Sequence, residues 1–212
     1  MRILLADDHA IMLDALKALL MEVDGIDVVG TALTGLEAFE LTLRLRPDLV
    51  VMDISMPDLN GVDAARRIIR EVPGTKVLCL SAHSDRESVI SMLKAGAAGY
   101  VVKWSAAKEL LRAIERIRCN QTYVSPEISG VVVEALQSGT YDLPADLLTD
   151  RERQVLQLVA EGKTSKEIAS LLEIAPPTVE THRRAIMNKL ELRSIAELTK
   201  YAIRRHLTSV DK

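Results

Sequence analysis

Residues 48–61, DLVVMDISMPDLNG, decide how this chain folds. Leu49–Met52 is a short, unbroken apolar run, so it reads as a parallel strand buried on both faces. The run stops at Asp53, and Pro57, Asp58, Asn60 and Gly61 then supply turn residues. Beyond them Val62, Ala65, Ile68 and Ile69 recur at helical spacing, which predicts a helix over Val62–Arg70. Working outward, strand-like runs recur at Ile3–Ala6, Val28–Thr31, Val77–Leu80 and Tyr100–Val102. Amphipathic stretches alternate with them near Ile11–Met21, Leu36–Leu45, Arg86–Ala95 and Ala106–Ile117. Five βα units with right-handed crossovers predict a doubly wound, five-stranded parallel sheet of flavodoxin-like order 2-1-3-4-5.

In such a sheet the groups just past the carboxyl ends of the strands share one crevice. Here those groups are Asp7 and Asp8, Asp53, and Lys103. Three acids in one crevice repel each other unless a cation joins them. Mg²⁺ suits the set, because it is hard and needs one or two carboxylates plus waters and phosphate oxygens. His9 and His83 flank the crevice, but neither has metal-ligand spacing to another His or Cys, so no transition-metal site is expected.

The chain has 212 residues, 48% of them hydrophobic, enough for one large core or two modest ones. Charges interrupt every apolar stretch, so no membrane span is expected, and Met1-Arg2 leads into a strand rather than a signal peptide. Two cysteines make no disulfide framework, and Cys79 falls inside a strand, as in a reduced cytosolic protein. The net charge of −3 is uneven: residues 1–140 carry 15 Lys/Arg against 19 Asp/Glu, whereas 178–206 carry seven basic against three acidic side chains. After about residue 120 the strands stop. PEISGVVVEAL (126–136) can form a helix, weakened by Gly130 and three valines, and QSGTYDLPADL (137–147) has linker composition. The remainder is helical, and Thr149 with Glu152, then Thr164 with Glu167, match the capping-box spacing.

Taken together, ADDH (6–9), the strand into Asp53 with its MPDLNG, Ser81 after VLCL and KAGAAGYVVK (94–103) resemble the receiver domain of two-component response regulators. LTDRERQVLQLVAEGKTSKEIASLL (148–172), TVETHRRAIMNKL (178–190) and AELTKYAIRRHL (196–207) resemble a LuxR-type helix-turn-helix, as in the NarL/FixJ type. The resemblance spans essentially the whole chain and implies a receiver at 1–120, a linker at 121–146 and a DNA-binding domain of about four helices at 147–212. It implies a cytoplasmic transcription factor phosphorylated on Asp53 by a partner histidine kinase, not a turnover enzyme. It also implies control of homodimerisation and promoter binding by phosphorylation, with RNA polymerase as a further partner and no membrane contact. Asp8, Asp53 and the Ser55 backbone carbonyl would hold Mg²⁺, with Asp7 acting through water. Lys103 and Ser81 would meet the phosphoryl oxygens, and Ser81 with Tyr100 would form the switch. An aspartate-based phosphohydrolase shares the nucleophile but needs a general acid two residues on, where Ser55 stands.

In the second domain Thr164–Leu172 corresponds to the supporting helix and Pro177–Leu190 to the recognition helix, whose exposed side enters the major groove. Val179, Ile186 and Leu190 are expected to face the core. Glu180, Thr181 and Arg184 are expected to meet base edges, and Lys166, Arg183 and Lys189 to meet phosphates. The receiver is expected to shield this helix before phosphorylation, and the last helix to pair two output domains. Four positions depart from the family pattern. Trp104 follows the lysine where proline is common, and a cis bond there would cost roughly 2.5–4 kcal/mol. Ala175 replaces a capping Ser, Pro177 a basic residue, and Glu191 a helix-ending glycine.

Overall fold

The computed structural model describes residues 1–103, 107–137 and 147–208. Trp104 and most of the 137–147 linker lie outside the described residues, as do the expectations that rest on them. The first domain alternates β1 (Arg2–Ala6), α1 (Ala10–Met21), β2 (Asp27–Ala32), α2 (Gly35–Leu45), β3 (Leu49–Met52), α3 (Gly61–Glu71), β4 (Lys76–Ser81), α4 (Arg86–Lys94), β5 (Gly99–Val102) and α5 (Ala107–Arg118). All strands pair in parallel, in the order β2-β1-β3-β4-β5 as expected.

A sixth strand extends that sheet beyond the five expected. β6 (Tyr123–Val124) pairs with β5, Gly99 opposite Tyr123, and α6 (Pro126–Gln137) follows it. Ile128 of α6 is fully buried in the same core as α3 and α4, so the stretch read as the start of a linker packs on the receiver-like domain. Two residues make too short a run to be seen by periodicity.

The pleat divides the strand residues between two cores. Leu4, Val50, Met52, Val77, Cys79 and Tyr100 face α2, α3, α4 and α6, while Ile3, Leu5, Leu49, Val51, Leu78 and Val101 face α1 and α5. β3 is buried along its whole length, which explains its unbroken apolar run. The turn after it is equally constrained. Asn60 caps α3 by accepting from the Asp63 N–H, and a Cβ at Gly61 would come within 1.9 Å of the Asp53 carbonyl oxygen. Only glycine lets α3 start this close to the strand end that carries Asp53.

The second domain contains α7 (Asp150–Ala160), α8 (Ser165–Leu171), α9 (Pro176–Leu190) and α10 (Ile195–Arg204) around Val155, Leu156, Ile168, Val179, Ile186, Leu198 and Ala202. Both expected capping boxes form, and Ser194 with Glu197 makes a third at α10. Ala175 gives α9 no side-chain cap. Glu191 still ends α9 sharply, because it takes the left-handed conformation (φ 56°) that glycine would otherwise supply.

Candidate functional site

The sheet's hydrogen-bond ladder continues past the strand ends and lines up the charged residues. The Asp7 N–H donates to Ala32 O (3.1 Å), the Asp53 N–H to Ala6 O (2.9 Å) and the Lys103 N–H to Ser81 O (2.8 Å). Lys103 Nζ then lies 2.6 Å from Asp7 Oδ2 and 2.9 Å from Asp53 Oδ2. All three side chains are largely buried. Burial pulls the Lys103 ammonium toward lower pKa, but Asp53 and Asp7 outweigh it and hold the group above its ordinary value. Asp53 uses its other oxygen, Oδ1, to accept from the Ile54 N–H at 2.7 Å.

Asp8 adds a second carboxylate beside Asp7 and groups with it and His9. Its Oδ1 lies 2.8 Å from Nδ1 of His9, a mostly exposed ring that also contacts Asp7 Oδ1 at 3.1 Å. Across the pocket the expected switch residues gather on His83, a residue to which the sequence assigned no role. The His83 N–H donates to the buried Ser81 hydroxyl (3.4 Å), and its Nε2 lies 2.9 Å from Ser55 Oγ. The Tyr100 ring is fully buried, and its hydroxyl donates to the His83 carbonyl at 2.6 Å. Burial above all pushes the Tyr100 phenol pKa well up, so it stays a donor.

In the helical domain α8 packs on α9, with Val179 and Ile186 buried and Leu190 partly so. Glu180, Thr181, Arg184 and Lys166 are exposed and Arg183 is half-buried. Glu180 accepts from Ser165 and pairs with Arg183 at 3.0 Å. The Ser165 hydroxyl first, then Arg183, hold its carboxyl below the usual range. Thr181 donates back to the Pro177 carbonyl at 3.0 Å. Lys189 differs from the rest: it reaches the other way and pairs with Glu152 of α7 at 2.7 Å.

Residues 3–115 match the response regulator receiver domain family, and residues 146–202 match the luxR family of bacterial regulatory proteins. The chain is 40% identical over 208 residues to the transcriptional regulatory protein MctR of Rhizobium johnstonii, covering 98% of this chain and 95% of that one. It belongs to the NarL/FixJ-type response regulators. It is 35% identical to the oxygen regulatory protein NreC of Staphylococcus carnosus over 98% of this chain and 99% of that one. Salmonella RcsB bound to promoter rprA with the phosphomimetic BeF₃⁻ shares the fold, with a TM-score of 0.62, 24% identity and coverage of 95% and 97%. This is a two-component response regulator with a LuxR-type DNA-binding domain.

The two domains of this response regulator meet along a polar seam. Gln157 of α7 accepts from the Asn60 N–H (2.8 Å) and donates to the Met56 carbonyl (2.9 Å), gripping the loop that leads out of Asp53. Arg153 pairs with Asp63 at 3.0 Å, and Lys163 with Asp58 at 3.2 Å. At the far end Arg205 pairs with Glu87, and His206 lies 3.3 Å from Asp85 with its ring centroid 4.2 Å from that of His83. Burial and then His206 hold the His83 imidazole below its ordinary pKa. The expectation that the receiver covers the recognition helix is not met. No hydrogen bond or ion pair joins α9 to the receiver among the described residues, and the receiver holds α7 instead. Side chains 90 or more positions apart make these contacts, and no local sequence pattern announces them. No helix among the described residues is long and apolar enough to cross a membrane.

Proposed function

We propose that Asp53 accepts a phosphoryl group from a phosphohistidine of a partner sensor kinase. An Asp53 oxygen attacks phosphorus and forms a P–O bond while the P–N bond breaks, and the leaving imidazole takes the electron pair and a proton. The observation that carries this reading is the Lys103 ammonium bridging Asp53 and Asp7 at 2.9 and 2.6 Å, a buried cation beside a buried nucleophile. The carboxylates of Asp7, Asp8 and Asp53 are hard oxygen donors, which fit Mg²⁺. Asp8, Asp53 and the Ser55 carbonyl would hold the ion, with Asp7 acting through water. Bound there, it neutralises charge on the incoming phosphoryl group.

Lys103 then exchanges Asp53 for the phosphoryl oxygens, and Ser81 turns its hydroxyl from the His83 N–H toward the same oxygens. Both changes act on the segment that also holds Tyr100 and Ser55. The loop from Asp53 to Asn60 is the one gripped by Gln157, so phosphorylation and the seam compete for one piece of backbone. Release of α7 and of Arg205 frees the side of α10 that carries Tyr201, which lines the cavity between the domains, for pairing with a second copy, and two recognition helices then span two half-sites of promoter DNA. Leu198 and Ala202 are buried in their own domain, so the dimer surface lies outside that stripe. In this reading the protein works in the cytoplasm, with RNA polymerase as a further partner at the promoter.

The decisive experiment labels the full chain with acetyl phosphate and Mg²⁺ and reads intact mass. Wild type should gain one phosphoryl group and Asp53→Asn none. Undiminished labelling of Asp53→Asn overturns the assignment.

A further inference from the structure

The contact between His206 and the receiver brings together donors that have no spacing in sequence. One ring nitrogen each from His83 and His206 and one carboxylate oxygen of Asp85 lie within 4.8 Å of one another. His83 and Asp85 come from the loop between β4 and α4, and His206 from just past α10. We propose that these three side chains form a site for a divalent transition metal, with Zn²⁺ as its probe, that ties the DNA-binding domain to the receiver's switch loop.

Geometry and chemistry both support the site. Two ligands of a tetrahedral zinc, each about 2.0–2.1 Å from the ion, sit roughly 3.3–3.4 Å apart. His206 Nε2 and Asp85 Oδ2 already stand at 3.3 Å. The His83 nitrogen lies within 4.8 Å of both and has to close to the same spacing. Two neutral imidazoles and one carboxylate make a donor set that zinc and its neighbours prefer and Mg²⁺ does not. Nε2 of His83 lies 2.9 Å from Ser55 Oγ, so a proton placed there would leave Nδ1 as the ligating atom. An outer hydrogen bond of this kind is what orients a ligating histidine. His206 also lines a cavity of about 60 Å³ between the domains, room enough for a water beside it.

The consequence is regulatory. A metal held by both domains binds the closed arrangement and not the open one, so it stabilises closure in proportion to its occupancy. It would also fix His83, whose backbone holds both Ser81 and Tyr100. A transition metal would thereby oppose the release that phosphorylation favours.

The test titrates Zn²⁺ into the full-length protein by calorimetry, with Mg²⁺ in excess to occupy the acidic pocket. One zinc equivalent should bind. His206→Ala removes a direct ligand and should lose more than the roughly 10–100-fold that loss of an outer partner costs. Asp85→Asn keeps the α4 cap, which is made through Oδ1, and should also weaken binding. His182→Ala, in α9, should bind as wild type does. Bound zinc should also slow proteolysis of the interdomain linker in wild type but not in His206→Ala. Equal zinc affinity in wild type and His206→Ala would place the ion elsewhere, with Asp7, Asp8 and His9 as the alternative cluster. No binding would leave an ordinary His–Asp contact. Either result overturns the proposal without touching the assignment of Asp53.

Discussion

Helices α7 and α9 belong to one small domain, and each carries polar and charged side chains along the side turned from their shared core. α7 buries that side. Arg153, Gln154 and Gln157, which meet the receiver, are at most 8% exposed, whereas Glu180, Thr181 and Arg184 of α9 stand in solvent. Composition does not separate the two helices; the receiver does. A polar surface that is hydrogen-bonded against another domain can be released at modest cost, because water takes over its hydrogen bonds. An apolar surface of equal size would not be released so readily. The seam therefore looks built to open, and the reading helix stays ready outside it.

Breaking the seam should have the largest effect. Removing one partner of a buried ion pair costs roughly 3–5 kcal/mol when the other charge is stranded. Arg153→Ala strands Asp63 only in part, since Arg66 also reaches it at 2.7 Å. The expected loss in domain docking is thus near the lower end, about 3 kcal/mol. Small-angle scattering should show an extended unphosphorylated protein, and its DNA affinity should rise toward that of the phosphorylated form. An unchanged scattering profile would mean that the seam does not govern closure.

The exposed helix should fail in a different way. Arg184→Ala should cost about 1–3 kcal/mol on a specific site, relax the choice of base, and leave scattering unchanged. Equal losses on specific and random duplexes would show that Arg184 does not read bases.

Between these extremes lies what the amino-acid sequence made legible. Strand ends and their charged residues were readable because burial on both faces forces unbroken apolar runs, and the parallel sheet brings Asp7, Asp53 and Lys103 to one edge. β6 was not, since two residues carry no period. The third capping box did have a signal, Ser194 three residues before Glu197, in a stretch that reads first as an amphipathic helix. The seam and the His83–His206 contact had none. Residue 206 lies far along the chain from residue 83, and only the packing of two finished domains brings them together. The recognition-helix shield failed for the same reason: which face of a domain docks is a property of assembled surfaces, not of local pattern.

A smaller effect tests how far α7 depends on its own start. The Thr149 hydroxyl accepts from the Glu152 N–H (3.3 Å), and the Glu152 carboxylate accepts from the Thr149 N–H (2.8 Å). Thr149→Ala should cost about 1 kcal/mol, read as a lower urea midpoint at unchanged slope. A changed slope would point to altered domain contact instead.

The smallest effect decides to which of the two helices Lys189 belongs. It grows from α9, yet its ammonium sits 2.7 Å from Glu152 at the head of α7, and its side chain is 40% exposed. A pair this open is worth only about 0–1 kcal/mol, so Lys189→Ala should barely shift stability. On DNA the two roles separate. If the ammonium leaves Glu152 for a phosphate, the variant should weaken specific and random duplexes alike, and the slope of log affinity against log salt should fall by about 0.9. Glu152 would keep its Thr149 hydrogen bonds, which offset part of the loss of the cation. If the slope does not change, Lys189 is a tie between α7 and α9 and contributes nothing to the DNA surface. The phosphate contacts then rest on Lys166 and Arg183 alone.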